Sequence, residues 1–471
     1  MRPLEVLVIL LIGAVLAAPW LPWTAVRRAL RPLPLLLLLA AIAQILIEGA
    51  RWQMAPAYAL VLAVILLPLA AGEGRGDRSP GALALGAAAL VLAVVLPLAF
   101  PVFDLPRPDG PYGIGTVTYD WTDPNRRELF TAAPGDHREL MVQVWYPAAP
   151  NPRAARAPYI ADGMALAPLA RLLHMPGFVF QHLKYVRTNA MPGAPMARGG
   201  RFPLLIFSHG RGGFRQHNSL EIESLVSHGY VVAAMDHTYA GAGVDFPDGR
   251  RIAMAEGMKV RGVLNRYLPY LAQDVSFTLD RLTAMDRSDS QGVLTGRLDL
   301  DHVGMFGLSM GGAITAEACL RDPRLRACLP MDVFMPPDVV RSGLAQPTLW
   351  ISRDAATMAL EGWARQDIDE TQTTMRTAYA AARGDAYLVL IPGMFHQNLS
   401  DFPYLVVSPI DRWIGLDGPI DARRVHQIET RYSLAFFDRY LRGLGSPLLD
   451  APSPQFPEVQ FQRRTGAVET R

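Results

Sequence analysis

His302-Val303-Gly304-Met305-Phe306 runs straight into Gly307-Leu308-Ser309-Met310-Gly311-Gly312, and Ala313–Leu320 follows with the composition of a helix. An apolar strand, a serine flanked by glycines and a helix in that order describe a strand-to-helix turn too sharp for side chains at the flanking positions. Such a turn lifts the serine hydroxyl above the sheet, at the positive end of the following helix. Ser309 is therefore the candidate nucleophile. The alternative, an ordinary glycine-rich turn, explains the glycines but not the strand and helix around them.

Working outward, short apolar runs alternate with helical patterns. Candidate strands are Leu140–Tyr146, Pro203–Ser208, Tyr230–Met235, His302–Phe306, Arg326–Met331, Pro347–Ser352 and Ala386–Ile391. Several lack polar alternation, as strands buried on both faces of a parallel sheet do. Asn218–His228, Tyr270–Met285, Met310–Leu320 and Arg424–Leu441 read as helices. In the last of them Ile428, Tyr432, Ala435 and Phe436 recur at helical spacing. The expected class is α/β, with the α/β-hydrolase arrangement of a mostly parallel sheet flanked by helices. Tyr159–Pro195 and Tyr239–Tyr267 break the alternation and read as excursions over the active-site face.

A serine hydroxyl needs a base at neutral pH, and in this fold an Asp or Glu and then a His follow it along the chain. Asp332 stands at the end of the strand Arg326–Met331 and is the candidate acid; Asp338 and Asp354 are alternatives. Beyond Asp332 the histidines are His396 and His426. His396 lies in the loop Pro392–Asn398 just after a strand, whereas His426 falls on a solvated face of the terminal helix. An oxyanion hole needs backbone N–H groups. Met310, next to the serine, supplies one. The other is expected from Arg211 in Ser208-His209-Gly210-Arg211-Gly212-Gly213, with His209 bracing that loop. The same glycines suggest a phosphate loop, but the lysine and spacing are missing.

The first hundred residues differ from the rest. The apolar runs Leu4–Trp23, Leu30–Ile47, Ala55–Ala71 and Gly81–Phe100 approach the length of a bilayer-crossing helix, so four transmembrane helices are expected. Arg27, Arg28, Arg31, Arg75 and Arg78 in the first and third connectors imply those loops are cytoplasmic, with everything after Phe100 outside. The expectation is a multi-pass inner-membrane protein with the bilayer as partner and an extracytoplasmic catalytic part. The alternative for the first run is a cleaved signal peptide ending near Val15-Leu16-Ala17. The domain plan is an anchor over 1–100, a Pro- and Gly-rich linker over 101–115 and the hydrolase over 116–471.

The apolar fraction of 50% and charged fraction of 19% reflect this first segment. A net charge of +2 without a basic stretch gives no reason to expect a nucleic-acid partner. Cys319 and Cys328 fit no metal or redox motif and read as two buried thiols or a short-loop disulfide. Neither a metal nor a cofactor is expected: the chain lacks His-Glu-x-x-His, EF-hand and Cys-x-x-Cys patterns. Oligomeric state is not legible.

With these residues in place, the chain resembles the platelet-activating-factor acetylhydrolases of the plasma and type II kind, from about Tyr112 to Leu444. The likeness is carried by Ile206–Arg215, by Ser227-His228-Gly229-Tyr230-Val231-Val232-Ala233-Ala234, by the elbow Gly307–Gly312, by Asp332 and by His396-Gln397-Asn398 with Asp401-Phe402. The chain departs from the family's pattern in its apolar N-terminal segment, and at Arg211 and Gly213. The resemblance implies metal-independent hydrolysis of short or oxidised sn-2 acyl esters of phospholipids, through Ser309, Asp332 and His396 with the N–H groups of Arg211 and Met310. Rival readings are a hydrolase of soluble short-chain esters, polyesters or dienelactones, and a binding domain without turnover.

Overall fold

The computed structural model describes residues 1–471 except 19, 20, 22, 72–79, 161–165, 167–169, 171–174, 261, 406–416 and 467–471. β1 (Gly113–Arg127) and β2 (His137–Ala148) form a long antiparallel pair, and β3 (Ala190–Pro192) runs parallel to β1 at the edge. β4 (Phe202–Ser208) and β5 (Val231–Met235) are buried at every position and parallel to each other. β6 (Gly243–Asp245) and β7 (Arg251–Ala253) make a separate hairpin. β8 (Leu298–Leu308), β9 (Leu325–Met331), β10 (Thr348–Ser352) and β11 (Ala386–Leu390) extend the parallel part, and β12 (Gln460–Arg464) closes the far edge antiparallel. The sheet order is β12-β11-β10-β9-β8-β4-β5-β2-β1-β3.

Burial on both faces explains the unbroken apolar runs. Leu204 and Ile206 face the helices Leu264–Arg287 and Met310–Arg321 on one side. Leu205 and Phe207 face the helices Ser219–Ser227 and Ala422–Leu441 on the other. After β4 the chain moves outward to β5, then returns to place β8 on the opposite flank of β4. The direction of winding thus reverses between β4 and β8. In sheets of this type, ligands bind in the crevice at the carboxyl ends of the two strands flanking that reversal, here Ser208 and Leu308. β1 escapes a reading of apolar runs because Thr, Asp, Asn and Arg fill it and its burial alternates along much of its length. Tyr239–Tyr267 contains the β6–β7 hairpin.

The expected four transmembrane helices require correction: among the described residues, no helix is long and apolar enough to cross a membrane. A span needs about 20 residues at about 1.5 Å rise each. The first helix, Pro3–Ala17, has 15 residues and the third, Leu33–Ala43, has 11 before a π turn over Gln44–Glu48. Ala55–Ala71 has 17, and Pro80–Ala99 has 20 with Pro97 in its last turn. The multi-pass inner-membrane reading, its extracytoplasmic assignment and the bilayer as partner fall with those spans. Glu73, Arg75, Asp77 and Arg78 of the third connector lie outside the described residues.

These helices share an apolar cluster that includes Val8, Ile12, Leu37, Met54, Val61 and Ala93. Glu5 is fully buried and accepts hydrogen bonds from Arg51 at 2.7 Å and from Arg2. Arg51 also donates to Phe100 O at 2.6 Å, while the neighbouring Trp52 Nε1 donates to Val179 O at 3.0 Å. Truncating one partner of such a pair strands a buried charge, so the contact constrains how the helices pack.

Cys319 and Cys328 form a disulfide, not a pair of thiols, joining the helix Met310–Arg321 to β9. The bridge closes a loop of sequence separation 9, for which chain entropy suggests about 2–3 kcal/mol. The Cys319→Ala, Cys328→Ala double variant should melt several degrees lower than the parent. Scanning calorimetry with and without reductant checks this, since reductant should shift only the parent.

Candidate active site

Ser309 is the hinge between β8 and its helix. Its φ of +58° and ψ of −126° lie in a region side chains rarely occupy, and its N–H donates to Met331 O at 2.9 Å. The flanking glycines are required by contact. A Cβ on Gly307 would lie 2.4 Å from Gly311 O, and one on Gly311 would lie 1.9 Å from Ser208 O. Met310 is the first residue of the helix, so its N–H has no partner within that helix.

The loop after β4 comes against this turn. A Cβ on Gly210 would sit 3.3 Å from Ser309 Cβ. Gly212 adopts φ +71° and donates to Ala240 O at 3.0 Å, while Gly213 O accepts from Ala242 N at 2.8 Å. His209 is buried; its Nδ1–H donates to Gly210 O at 2.7 Å and its Nε2 accepts from His237 N at 3.1 Å. Burial foremost, with His237 nearby, lowers its pKa to about 3. A neutral imidazole bracing the loop fits those contacts. Arg211 is exposed, and its guanidinium donates to Met258 O at 3.3 Å.

Asp332 and His396 meet across the ends of β9 and β11. His396 Nδ1–H donates to Asp332 Oδ2 at 2.6 Å, and Ser352 Oγ donates to Oδ1 at 2.9 Å. This fixes the tautomer and leaves Nε2 as the basic atom. Burial opposes ionisation of Asp332. The charge of Arg353, with Nη2 at 3.4 Å, and the hydrogen bonds from His396 and Ser352 outweigh it and lower the pKa to about 2. Glu361 offsets Arg353 through an ion pair and accepts His396 N–H at 3.1 Å. Trp363 stands edge-on to His396 at 5.4 Å and under Arg353 at 4.6 Å.

The alternatives have other employment. Asp338 pairs with Arg321 and Arg341, and Asp354 caps the helix Ala355–Leu360 by accepting from Thr357 N at 2.9 Å. His426 is buried rather than solvated, with Nε2 3.0 Å from Ser400 O. Ser309 makes no hydrogen bond to His396 in this structure; catalytic contacts of this kind often close only with substrate bound. Ser352, Arg353, Glu361 and Trp363 were not singled out from the sequence, because no local motif marks side chains that converge from separate loops. Among the described residues, no cluster suited to a metal ion is present.

The His396 loop is tied to the helix Ser219–Ser227. Asp401 accepts Ser219 N–H at 2.7 Å and Leu220 N–H at 3.1 Å, and burial raises its pKa to about 8. Burial likewise raises Glu223 to about 7. An acid whose folded pKa is raised keeps its proton in the native state, so its contribution is intact below the unfolded pKa of about 4 and is lost as pH climbs toward the folded value. Asp332 has the opposite sign: its contribution is present above about pH 4 and is lost as pH falls through about 2. Buried histidines with lowered pKa values, among them His209, His217 and His426, offset this below the unfolded histidine value of about 6.5, so the melting temperature should decline from about pH 6.5 to pH 8. Asp401→Asn, which keeps an acceptor but cannot ionise, should flatten that decline by several degrees in thermal melts across the range.

Comparison with known proteins bears on the family and the class of reaction. Residues 100–247 and 280–444 match the family model described as platelet-activating factor acetylhydrolase, isoform II. The gap between the two matched stretches contains β7 but not β6. A platelet-activating factor acetylhydrolase of Canis lupus familiaris is 24% identical over 72% of this chain and 77% of its own length. A probable 1-alkyl-2-acetylglycerophosphocholine esterase of Arthroderma benhamiae is 26% identical over 76% of this chain and 94% of its own. Among solved structures, a ferulic acid esterase from Streptomyces cinnamoneus superposes with a TM-score of 0.64 at 32% identity, covering 77% of this chain and all of that one. The chain is thus an ester-hydrolysing enzyme with an α/β-hydrolase-like fold, and it belongs to the platelet-activating factor acetylhydrolase, isoform II, family.

Proposed function

We propose that the enzyme is a serine esterase working through Ser309, His396 and Asp332, with the N–H groups of Arg211 and Met310 as the oxyanion hole. The observation that carries this reading is the 2.6 Å hydrogen bond from His396 to the ionised Asp332, at the same end of the sheet as the strained Ser309. Ser309 Oγ attacks the ester carbonyl while His396 Nε2 takes its proton. Asp332 holds the imidazole and stabilises it once charged. The carbonyl oxygen, now negative, is met by the two backbone N–H groups. Collapse expels the alcohol, protonated by His396, and leaves an acyl-Ser309 ester. Water, deprotonated by His396, then releases the acid.

For substrate, the family and the names of the canine and fungal relatives favour short or oxidised acyl groups at the sn-2 position of phospholipids. A second reading has its own support. The ferulic acid esterase is more similar in sequence than either of those relatives, which favours a soluble ester.

A panel of phospholipids with graded sn-2 chains, together with soluble short-chain and hydroxycinnamate esters, separates the two. Turnover confined to short or oxidised sn-2 chains is the expected result; turnover of soluble esters alone would retain the mechanism and discard the lipid. Ser309→Ala should lower kcat by at least about 10⁴-fold. Asp332→Asn should cost about 10⁴-fold by losing the tautomer that His396 needs.

A further inference from the structure

A second Ser-His-Asp chain lies directly behind the first. Ser208 Oγ is 2.7 Å from His237 Nε2, and His237 Nδ1 is 2.8 Å from Asp274 Oδ2. As a carboxylate Asp274 only accepts, so Nδ1–H donates to it and Nε2 accepts from the Ser208 hydroxyl. Arg138 forks onto Asp274 at 3.0 and 2.6 Å, and Arg126 pairs with it at 2.6 Å. Burial opposes ionisation, but these cations hold Asp274 far below the usual carboxylate range. Ser208, His237 and Asp274 are all 0% exposed, so no ester can reach this serine.

What the chain does touch is the machinery around Ser309. Ser208 is the last residue of β4, its carbonyl is the atom that excludes a side chain at Gly311, and it pairs with Gly307 of β8. His237 N–H donates to His209, which in turn holds Gly210 O. The segment after His237 turns through Tyr239 at φ +68° and fixes the loop again, with Ala240 O accepting from Gly212 and Ala242 donating to Gly213 O. Each end of the stretch 208–213 is thus tied to the segment that begins at His237.

We propose that the Ser208–His237–Asp274 chain is a buried positioning device that sets the Gly210–Arg211 backbone at its height over Ser309, with His237 as its central positioning residue. The inference rests on the proposed oxyanion role of Arg211 N–H. A displaced donor weakens binding of the transition state while leaving the bound ester nearly unaffected. A residue that only stabilises the fold lacks that signature.

The test uses full-length His237→Gln, Ser208→Ala and Ser309→Ala. Each is read by thermal melting, by kcat and KM on the best ester of the panel, and by Ki for a trifluoromethyl ketone, whose hemiketal oxyanion needs the same donors. His237→Gln should lose about 10- to 100-fold in kcat and a similar factor in trifluoromethyl ketone affinity, with KM within about threefold. Ser208→Ala should move the same quantities in the same direction by a smaller factor, and it decides the matter if His237→Gln does not fold. Folded variants with kcat and Ki within about twofold of the parent, or a loss confined to KM, would overturn the proposal and leave the Ser309 reading intact. An active Ser309→Ala would instead remove the nucleophile reading itself. If Ser208→Ala were then inactive, the positioning role would fall as well.

Discussion

Everything at the site depends on how closely the ends of β4 and β8 approach. The Ser208 carbonyl lies where a Gly311 side chain would be, at 1.9 Å from its hypothetical Cβ, and Gly210 lies against Ser309. Two adjacent parallel strands therefore deliver, within one contact, a serine on a strained turn and a glycine loop facing it. The strain at Ser309 persists because surrounding structure over-determines it. Behind it stand the hydrogen bond of its N–H to Met331 O and a helix that begins at the next residue. The β4 side is held as firmly, by His209, His237 and the backbone bonds to Ala240 and Ala242.

Charge is handled differently on the two sides of this contact. Asp332 sits in a mixed field, with Arg353 beside it and Glu361 drawing that cation away. Such balance matters if His396 is to become positive during turnover, because an uncompensated Arg353 would oppose the imidazolium. Asp274 instead faces two arginines and a histidine in a site closed to solvent. Both are fixed charges, but Asp332 faces an imidazole proposed to gain and lose a proton, whereas Asp274 faces one sealed from substrate. Similar triads of residue types thus acquire different capacities from their surroundings.

The elbow glycines, the serine, the acid after β9 and the histidine after β11 can be proposed from the sequence because each is tied to a strand end, and strand ends can be read from apolar runs. The converging side chains cannot. Arg353 reaches Asp332 and Trp363; Glu361 and Trp363 reach His396 from the turn after the helix Ala355–Leu360; and Asp274 reaches His237 from a helix 37 residues further along the chain. His426 looked solvated on periodicity, yet the turn at Ser400 covers it. Apolar composition overstated the N-terminal segment. Hydropathy counts residues but does not register a π turn, a terminal proline or a buried Glu5–Arg51 pair.

By itself, the sequence determined the α/β alternation and the places at which a serine, an acid and a histidine can stand, since local patterns of apolarity and glycine specify strands and sharp turns. It also carried the family resemblance. Tertiary structure alone decided that Cys319 and Cys328 are bonded, that β1 belongs to the sheet and that a second Ser-His-Asp chain is sealed behind the first. Each of these depends on distances between separate elements, from nine residues apart at the cysteines to 37 between His237 and Asp274. Such distances follow from how the strands and helices pack, and no local pattern encodes them.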